Sequence, residues 1–204
     1  MTPITSPNQT LTKRDFDKNQ YYRTLKARLE KDEASLDYNN DRAHNAVVMK
    51  LMFDIASKKV CMYCGELSIL RNGFRKHVIE AYGDDSGNEI MNDLYNSLDT
   101  FLNKEGTSFN IILEKKQDGL FDDLSRKDSF IKNRNKICLS YLGDDIAFKE
   151  DLSHFAFTDK ITRIEQNKLI RNAICSFNSE TSIKDLENRF EILSRFANPV
   201  YIPN

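Results

Sequence analysis

The sequence lacks an excess of charge of either sign. Among its 204 residues, 30 lysines and arginines stand against 31 aspartates and glutamates, which leaves a net charge of −1. This balance provides no global field of the kind that holds proteins on nucleic acid without regard to sequence. Nucleic acid stays open as a partner only through a local basic face, and the net charge does not favour it.

Long apolar runs are also missing. No run approaches the roughly 18 apolar residues that a membrane span requires. Residues 1–7 lack the charged and apolar regions of a secretory signal. We therefore expect a cytoplasmic protein that does not associate with a membrane.

Cysteine is too scarce to complete a zinc site. Cys61 and Cys64 have the spacing of half such a site, but no second Cys-x-x-Cys or paired histidines follow to supply four ligands. We expect two buried thiols on or beside a strand, no bound metal and no cofactor. The sequence does not decide whether the pair ever binds metal. Cys138 and Cys175 lie in apolar runs and are predicted to be core residues.

The length and the 40% hydrophobic content allow one globular core with an appendage. Residues 1–10 are predicted to form a tail, and residues 11–36 a helix with a narrow apolar seam that would lie against its own core or a second chain. A further helix, ending near residue 58, should pack against a sheet. We therefore divide the chain into a tail and helical arm, 1–58, and an α/β domain, 59–204. The arm is expected to be dispensable for folding of the domain but needed for assembly.

Apolar runs at 60–64, 109–113, 136–142 and 173–177 predict strands, with helices between and after them. Residues 153–165 alternate in polarity on both sides of a polar turn and predict a β-hairpin. The fold class that this order indicates is α/β, with a mixed β-sheet flanked by helices on both faces and preceded by the N-terminal helical arm.

The hairpin carries the main candidate site. Phe155 and Phe157 should point to one face and His154 to the other, together with reactive side chains from the turn and the returning strand. The candidate catalytic residues are His154, Asp159, Arg163 and Glu165. The alternative is a structural histidine that packs beside Phe155 and is hydrogen-bonded to Glu165 or Asp159.

Two further groups are weaker candidates. Glu66 and Ser68 follow the strand at 60–64, and ligands tend to lie outside the carboxyl ends of strands in such sheets; a plain turn with Ser68 as a helix cap is the alternative. A basic stretch interrupted by aspartates provides candidate phosphate- or nucleic-acid-binding residues. These are Lys115, Lys116, Arg126, Lys127, Lys132 and Arg134. Charge runs of mixed sign are more often solvated helix faces.

The element order from residue 60 to about residue 197 resembles one catalytic half of the phospholipase D-like superfamily. In that family a strand carries the motif H-x-K-x-x-x-x-D, a second strand returns behind it, and a helix similar to residues 185–193 closes the unit. His154 fits the motif histidine, but the lysine position falls on Ala156 and the aspartate position on Ile161. Arg163 or Lys160 could substitute for the lysine, at a different place on the hairpin.

The resemblance implies that the histidine would attack phosphorus while the lysine helps to hold the phosphate charge. Catalysis of this kind fails when the electrostatic partner is missing, which favours an inactive descendant. Family members with one motif per chain build their site across a twofold axis, so the resemblance also implies a homodimer.

Two hypotheses follow. The favoured one is a non-catalytic phospholipase D-like subunit of a larger bacterial assembly, either a homodimer or part of a hetero-complex, that binds protein partners through residues 11–36. The alternative is a phosphodiesterase or nuclease with an altered histidine-based site. A defence-type bacterial system would suit either hypothesis, although no residue indicates one.

Overall fold

The computed structural model describes residues 16–31, 33–144, 146, 152–167 and 172–203. The predicted tail, 1–10, lies outside them. Within the described residues the strands are β1 Ser35–Asn39, β2 Lys59–Cys64, β3 Ser108–Leu113, β4 Ile137–Leu142, β5 Phe155–Phe157, β6 Ile161–Asn167, β7 Asn172–Phe177 and β8 Ala197–Pro199. The α-helices of the same residues are α1 Lys18–Leu29, α2 Arg42–Ile55, α3 Asn72–Tyr82, α4 Asp84–Asn103, α5 Lys127–Lys132 and α6 Glu180–Phe196.

The eight described strands form a single mixed sheet in the order β1-β7-β6-β5-β2-β3-β4-β8. β2, β3 and β4 are parallel, whereas β5, β6, β7 and β1 follow one another in antiparallel pairs beyond β2. All four predicted apolar strands are present, as β2, β3, β4 and β7, and the predicted hairpin is formed by β5 and β6. β5 has only three residues, yet it joins the parallel half of the sheet to the antiparallel half.

Helices cover both faces of the sheet, as predicted. Val60 and Met62 of β2 belong to the large core shared with α1 to α5, whereas Cys61 and Tyr63 belong to a smaller core with Leu186 of α6. This alternation follows from the strand period of two, because successive side chains point to opposite faces. The described chain therefore consists of three layers: five helices, the sheet, and α6.

The segment before residue 59 contributes heavily to the sheet and to its core. β1 pairs with β7 along its whole length. α2 buries eight residues: Ala43, Ala46, Val47, Val48, Met49, Leu51, Met52 and Phe53. The expected packing of this helix against the sheet is confirmed. These contacts lead us to expect that folding requires a longer unit than residues 59–204.

The described part of the apolar seam predicted over residues 11–36 is turned mostly toward the protein's own core, and residues 11–15 and 32 lie outside the described residues. α1 ends at Leu29 rather than near residue 36, and β1 begins at Ser35. Leu25 is fully buried, and Tyr22 and Leu29 pack against the same core. Leu36, the last member of the seam, lies instead on β1 and is 54% exposed.

Other differences from the sequence-based expectations are local. Between the second and third predicted strands, where a helix was expected, the chain forms a 3₁₀ turn, Leu120–Asp122, followed by the short α5. The helix expected after the last predicted strand, α6, begins at Glu180, and Ser179 caps it, because the Ser179 side chain accepts a hydrogen bond from the backbone N–H of Ser182. Cys138 is exposed rather than buried, while Cys175 lies in the core. Among the described helices none has the length and apolar character needed to cross a bilayer.

Candidate functional site

The β5–β6 hairpin places its side chains on the two faces that the sequence predicted. Phe157 packs in the core beneath α6, whereas Ala156 faces the opposite core. Arg163 pairs with Ala156 across the hairpin, and the backbone N–H of Glu165 donates to the carbonyl oxygen of His154 at 2.8 Å. His154, Arg163 and Glu165 are therefore brought to the same end and the same face of the sheet.

His154 lies between two glutamates. Its Nδ1 is 2.7 Å from Oε2 of Glu165, and its Nε2 is 3.2 Å from Oε2 of Glu114. All three side chains are largely buried, with exposed fractions of 16% for His154, 10% for Glu165 and 20% for Glu114. A neutral imidazole has one N–H, so both contacts can be hydrogen bonds only if the ring carries two protons or one carboxyl is protonated.

A cavity of about 230 Å³ opens beside His154, at the carboxyl ends of β2 and β3. Its wall includes Asn45 and Met49 of α2 as well as Arg163 of the hairpin. Gly65 lets the loop after β2 approach closely: a Cβ atom at this position would lie 3.1 Å from Cε1 of His154 and 3.5 Å from Oε2 of Glu114. A Cβ at position 65 would therefore press on the imidazole of His154, whereas its distance to the glutamate would be an ordinary van der Waals contact.

Glu66 and Ser68 also line the cavity. Both lie where the carboxyl-end rule placed them, with Ser68 opening a 3₁₀ turn, Ser68–Leu70. The sequence reasoning missed Glu114. It follows β3 directly, and its backbone N–H donates to the carbonyl oxygen of Cys64 at 2.8 Å. The same rule applied to the second predicted strand would have identified it.

The structure does not bring Asp159, the fourth candidate of the hairpin, to this cluster or to the cavity wall. It lies in the hairpin turn, where its Oδ2 accepts a hydrogen bond from Oγ of Ser57 at 2.9 Å. Ser57 precedes β2, whereas His154 lies level with the end of β2. β5 runs antiparallel to β2, so the turn after β5 lies near the start of β2, at the opposite end of the strands from His154.

Two raised pKa values reflect the surroundings of the cavity. Burial raises the pKa of the Cys64 thiol to about 12, and the Glu165 carboxylate adds to the rise while the Arg163 guanidinium opposes it. Burial, together with the charge of Glu114, likewise raises the pKa of Tyr63. Both groups are therefore neutral near pH 7. The charges around His154 come from the glutamates and from Arg163.

Cys61 and Cys64 lie on or beside a strand, as expected. They point to opposite faces of β2, since Cys61 packs under α6 and Cys64 lines the cavity. Burial raises the pKa of Cys61 to about 11. Within the described ranges, no three His, Cys, Asp or Glu side chains are arranged to hold a metal ion.

The six basic candidates do not form one surface. Lys115 and Lys116 are exposed just after Glu114, beside the cavity, whereas Arg134 is exposed just before β4, at the amino ends of the parallel strands. Arg126 contacts Asp99 at 3.1 Å and Lys127 contacts Asp122 at 3.5 Å, so both have acidic neighbours. Lys132 is exposed near the end of α5.

Comparison with known proteins gives a likeness of fold. No family model matches the sequence, and no curated protein matches it significantly. One similar structure is Nuc from Salmonella typhimurium, a phospholipase D family member; the TM-score is 0.50 at 9% identity, covering 82% of this chain and 99% of that one. Another is TrmBL2, an archaeal chromatin protein described as showing a novel mode of DNA binding, with a TM-score of 0.50 at 12% identity over 81% of this chain. The chain spans about half of TrmBL2, since the match covers 53% of that protein.

The fold is therefore phospholipase D-like, which confirms the predicted resemblance at the level of architecture. Identities this low establish the fold alone. Against the motif of that superfamily, the lysine position is occupied by Ala156 and the aspartate position by Ile161, both buried in the core. His154 stands at the histidine position, and the carboxylate of Glu114, directly after β3, lies against its Nε2.

Proposed function

We propose that this protein is a non-catalytic phospholipase D-like module that acts as a subunit of a protein assembly. The observation that carries the proposal is the contact of 3.2 Å between Nε2 of His154 and Oε2 of Glu114. Nδ1 already faces Glu165 at 2.7 Å, so Nε2 is the nitrogen that would have to attack phosphorus. A nucleophile needs its lone pair free and directed at the substrate.

The charges around His154 also argue against phosphoryl chemistry. Glu114 and Glu165 place two carboxylates beside the imidazole, and Arg163 is the basic residue that lines the same cavity. Catalysis on a phosphodiester requires positive groups aimed at the charge that develops on the phosphate. Ala156, at the position of the family lysine, provides none.

A nucleic-acid surface is less well supported than a protein interface. The likeness to TrmBL2, described as DNA-binding, makes nucleic acid a partner worth testing. However, Lys115 and Lys116 lie at the carboxyl ends of the parallel strands, whereas Arg134 lies at their amino ends. Tight non-specific binding depends on many phosphate contacts from one continuous basic surface.

Exposed apolar side chains on β1 support a protein partner. Leu36 is 54% and Tyr38 63% exposed, and Tyr38 lies beside the half-buried Ile174 of β7. β1 is the edge strand of the described sheet, and an edge strand with apolar side chains is a template for association. We place the partner contact here, and a second copy of the chain is the partner that the single phospholipase D-like half implies.

The absence of catalysis can be tested with single- and double-stranded DNA, RNA and a chromogenic phosphodiester. We expect wild type, His154→Ala and His77→Ala to show the same background rate. His77 is the matched control because it lies on α3, with its side chain 55% exposed, and does not line the cavity. Turnover that is lost in His154→Ala but kept in His77→Ala would establish the alternative, an altered-site phosphodiesterase or nuclease.

The partner surface can be tested by sedimentation velocity. We expect wild type to sediment at twice its monomer mass of 23.7 kDa and Tyr38→Asp to sediment as a monomer. Tyr201→Asp is the matched control, since Tyr201 is also exposed but lies near β8, at the other edge of the sheet. A wild-type monomer would refute the homodimer. Equal loss of the dimer in both variants would refute the assignment to β1.

A further inference from the structure

We infer that Glu114 is an internal anionic ligand of His154, and that the cavity becomes a binding site for an external oxyanion when this carboxylate is removed or turned away. The inference deepens the proposed function and rests on it, because it names the group that keeps Nε2 of His154 engaged. The ligand would be a small anion from solution whose oxygen atoms accept hydrogen bonds, such as a carboxylate or a phosphate.

The first argument is the balance of charge. When both ring contacts are hydrogen bonds donated by an imidazolium, the largely buried groups of the cavity are two negative ones, Glu114 and Glu165, and two positive ones, His154 and Arg163. Glu66 also lines the cavity, but it is exposed to solvent, which screens its charge. The buried set is electrically neutral and exerts little attraction on an external anion. Removal of the Glu114 carboxylate leaves one excess positive charge beside a ring N–H, in a largely buried place.

The second argument is space. The Glu114 side chain lines the cavity next to the Gly65 backbone, where even a Cβ would lie 3.5 Å from its Oε2, an ordinary van der Waals contact. Truncation to alanine would vacate the volume of a carboxylate against Nε2, within a cavity that already measures about 230 Å³. Formate, acetate and phosphate are small enough for that place.

The third argument is that the side chain can leave without disturbing the sheet. The Glu114 backbone is fixed by its hydrogen bond to the carbonyl oxygen of Cys64, whereas the carboxylate retains 20% exposure. Rotation of the side chain toward solvent would break the contact with His154 and keep the strand in register. In the native protein Glu114 would therefore act as a gate whose position sets the anion affinity.

The test measures binding of formate, acetate and inorganic phosphate by thermal shift and isothermal titration. We expect Glu114→Ala to bind at least one of them about tenfold or more tightly than wild type, a change of about 1.4 kcal/mol. Glu114→Gln removes the charge but keeps the bulk, so its affinity should lie between the two. Glu105→Ala is the control: this glutamate is exposed before β3, and its loss changes the net charge equally.

The outcomes separate this inference from the proposed function. If neither Glu114 variant binds any anion more tightly than Glu105→Ala, the inference is refuted while the absence of turnover stands. Turnover by wild type would refute the proposed function, and anion binding by the variants would then report on an active site. If Glu114→Ala does not fold, the Glu114→Gln titration decides, and unchanged affinity in that variant overturns the inference. The three probes distinguish a carboxylate site from a phosphate site.

Discussion

Deletion of residues 1–58 should abolish folding of the remaining chain, whereas deletion of residues 1–34 should only weaken it. The difference lies in α2 and β1. α2 contributes six larger apolar side chains that are at most 3% exposed: Val47, Val48, Met49, Leu51, Met52 and Phe53. Burial of such side chains contributes about 1.5–3 kcal/mol each, which gives about 9–18 kcal/mol for the six. Because the unfolded chain is itself partly compact, this sum is an upper estimate.

That loss is as large as the whole stability of a typical domain, about 5–15 kcal/mol. Removal of residues 1–34 takes away α1, in which Leu25 is the fully buried residue. It also takes away the carbonyl groups of Arg28, Leu29 and Lys31, which accept hydrogen bonds from the Asn178 side chain. We expect a cost of several kcal/mol for this shorter deletion, with cooperative unfolding retained.

Urea denaturation followed by circular dichroism would compare the full chain with chains of residues 35–204 and 59–204. The 59–204 chain should show no cooperative transition, and the 35–204 chain a transition at a lower midpoint. A sharp transition of the 59–204 chain near the full-length midpoint would refute this reasoning and restore the boundary at residue 58. Loss of the transition in the 35–204 chain would show that α1 is part of the indispensable core.

Further predictions concern the hairpin and the start of α2. Phe157→Ala should lower the free energy of unfolding by about 3–5 kcal/mol, since this ring is 1% exposed beneath α6. His154→Ala should lower the free energy of unfolding by about 1–3 kcal/mol, because it removes the donor that Glu114 and Glu165 share. Equal falls in the urea midpoints of the two variants would contradict the expectation that Phe157→Ala is the more destabilising. Asp41 caps α2, and although burial opposes ionisation, hydrogen bonds from His44 and Tyr82 hold the pKa of its carboxyl below the usual value. A depressed folded-state pKa stabilises the protein above the unfolded value of about 3.9. The advantage of wild type over Asp41→Asn should therefore be present at pH 7 and shrink as the pH falls below about 4, and an advantage independent of pH in urea titrations would refute it.

The hairpin was predictable because its information is local. Alternation of Phe155 and Phe157 with polar neighbours fixed the faces, and the short turn fixed the register that brings Glu165 to His154. Glu114 was not predictable from the hairpin, since it follows β3, which lies two strands away from β5 in the sheet, and only the strand order brings the two together. Asp159 was included because it is close to His154 in sequence. β5 carries the chain away from the cavity, so the turn that contains Asp159 lies at the other end of the strands.

β1 was missed for a different reason. Residues 35–39 contain Asp37 and Asn39, which are depleted in strands and common in turns, so local propensity does not favour a strand there. Pairing with β7 overrides that preference. Tyr21 and Arg28 of α1 reinforce it, because the Tyr21 hydroxyl donates to Oδ2 of Asp37 at 2.7 Å and Arg28 NH2 lies 3.1 Å from Oδ1. A strand whose polar side chains are satisfied by a neighbouring helix cannot be recognised from its own residues.

The pairing of β1 with β7 also has a consequence for biosynthesis. β1 leaves the ribosome before β7, its partner, which is encoded well over a hundred residues later. At translation rates of about 5–20 residues per second, β1 waits on the order of ten seconds for β7. Throughout that interval Leu36, Tyr38 and the unpaired backbone of β1 are available to other nascent chains and to chaperones. β1 is thus synthesised well before the strand that completes it, and premature release from the ribosome would yield a chain with both β1 and the α2 core surface uncovered.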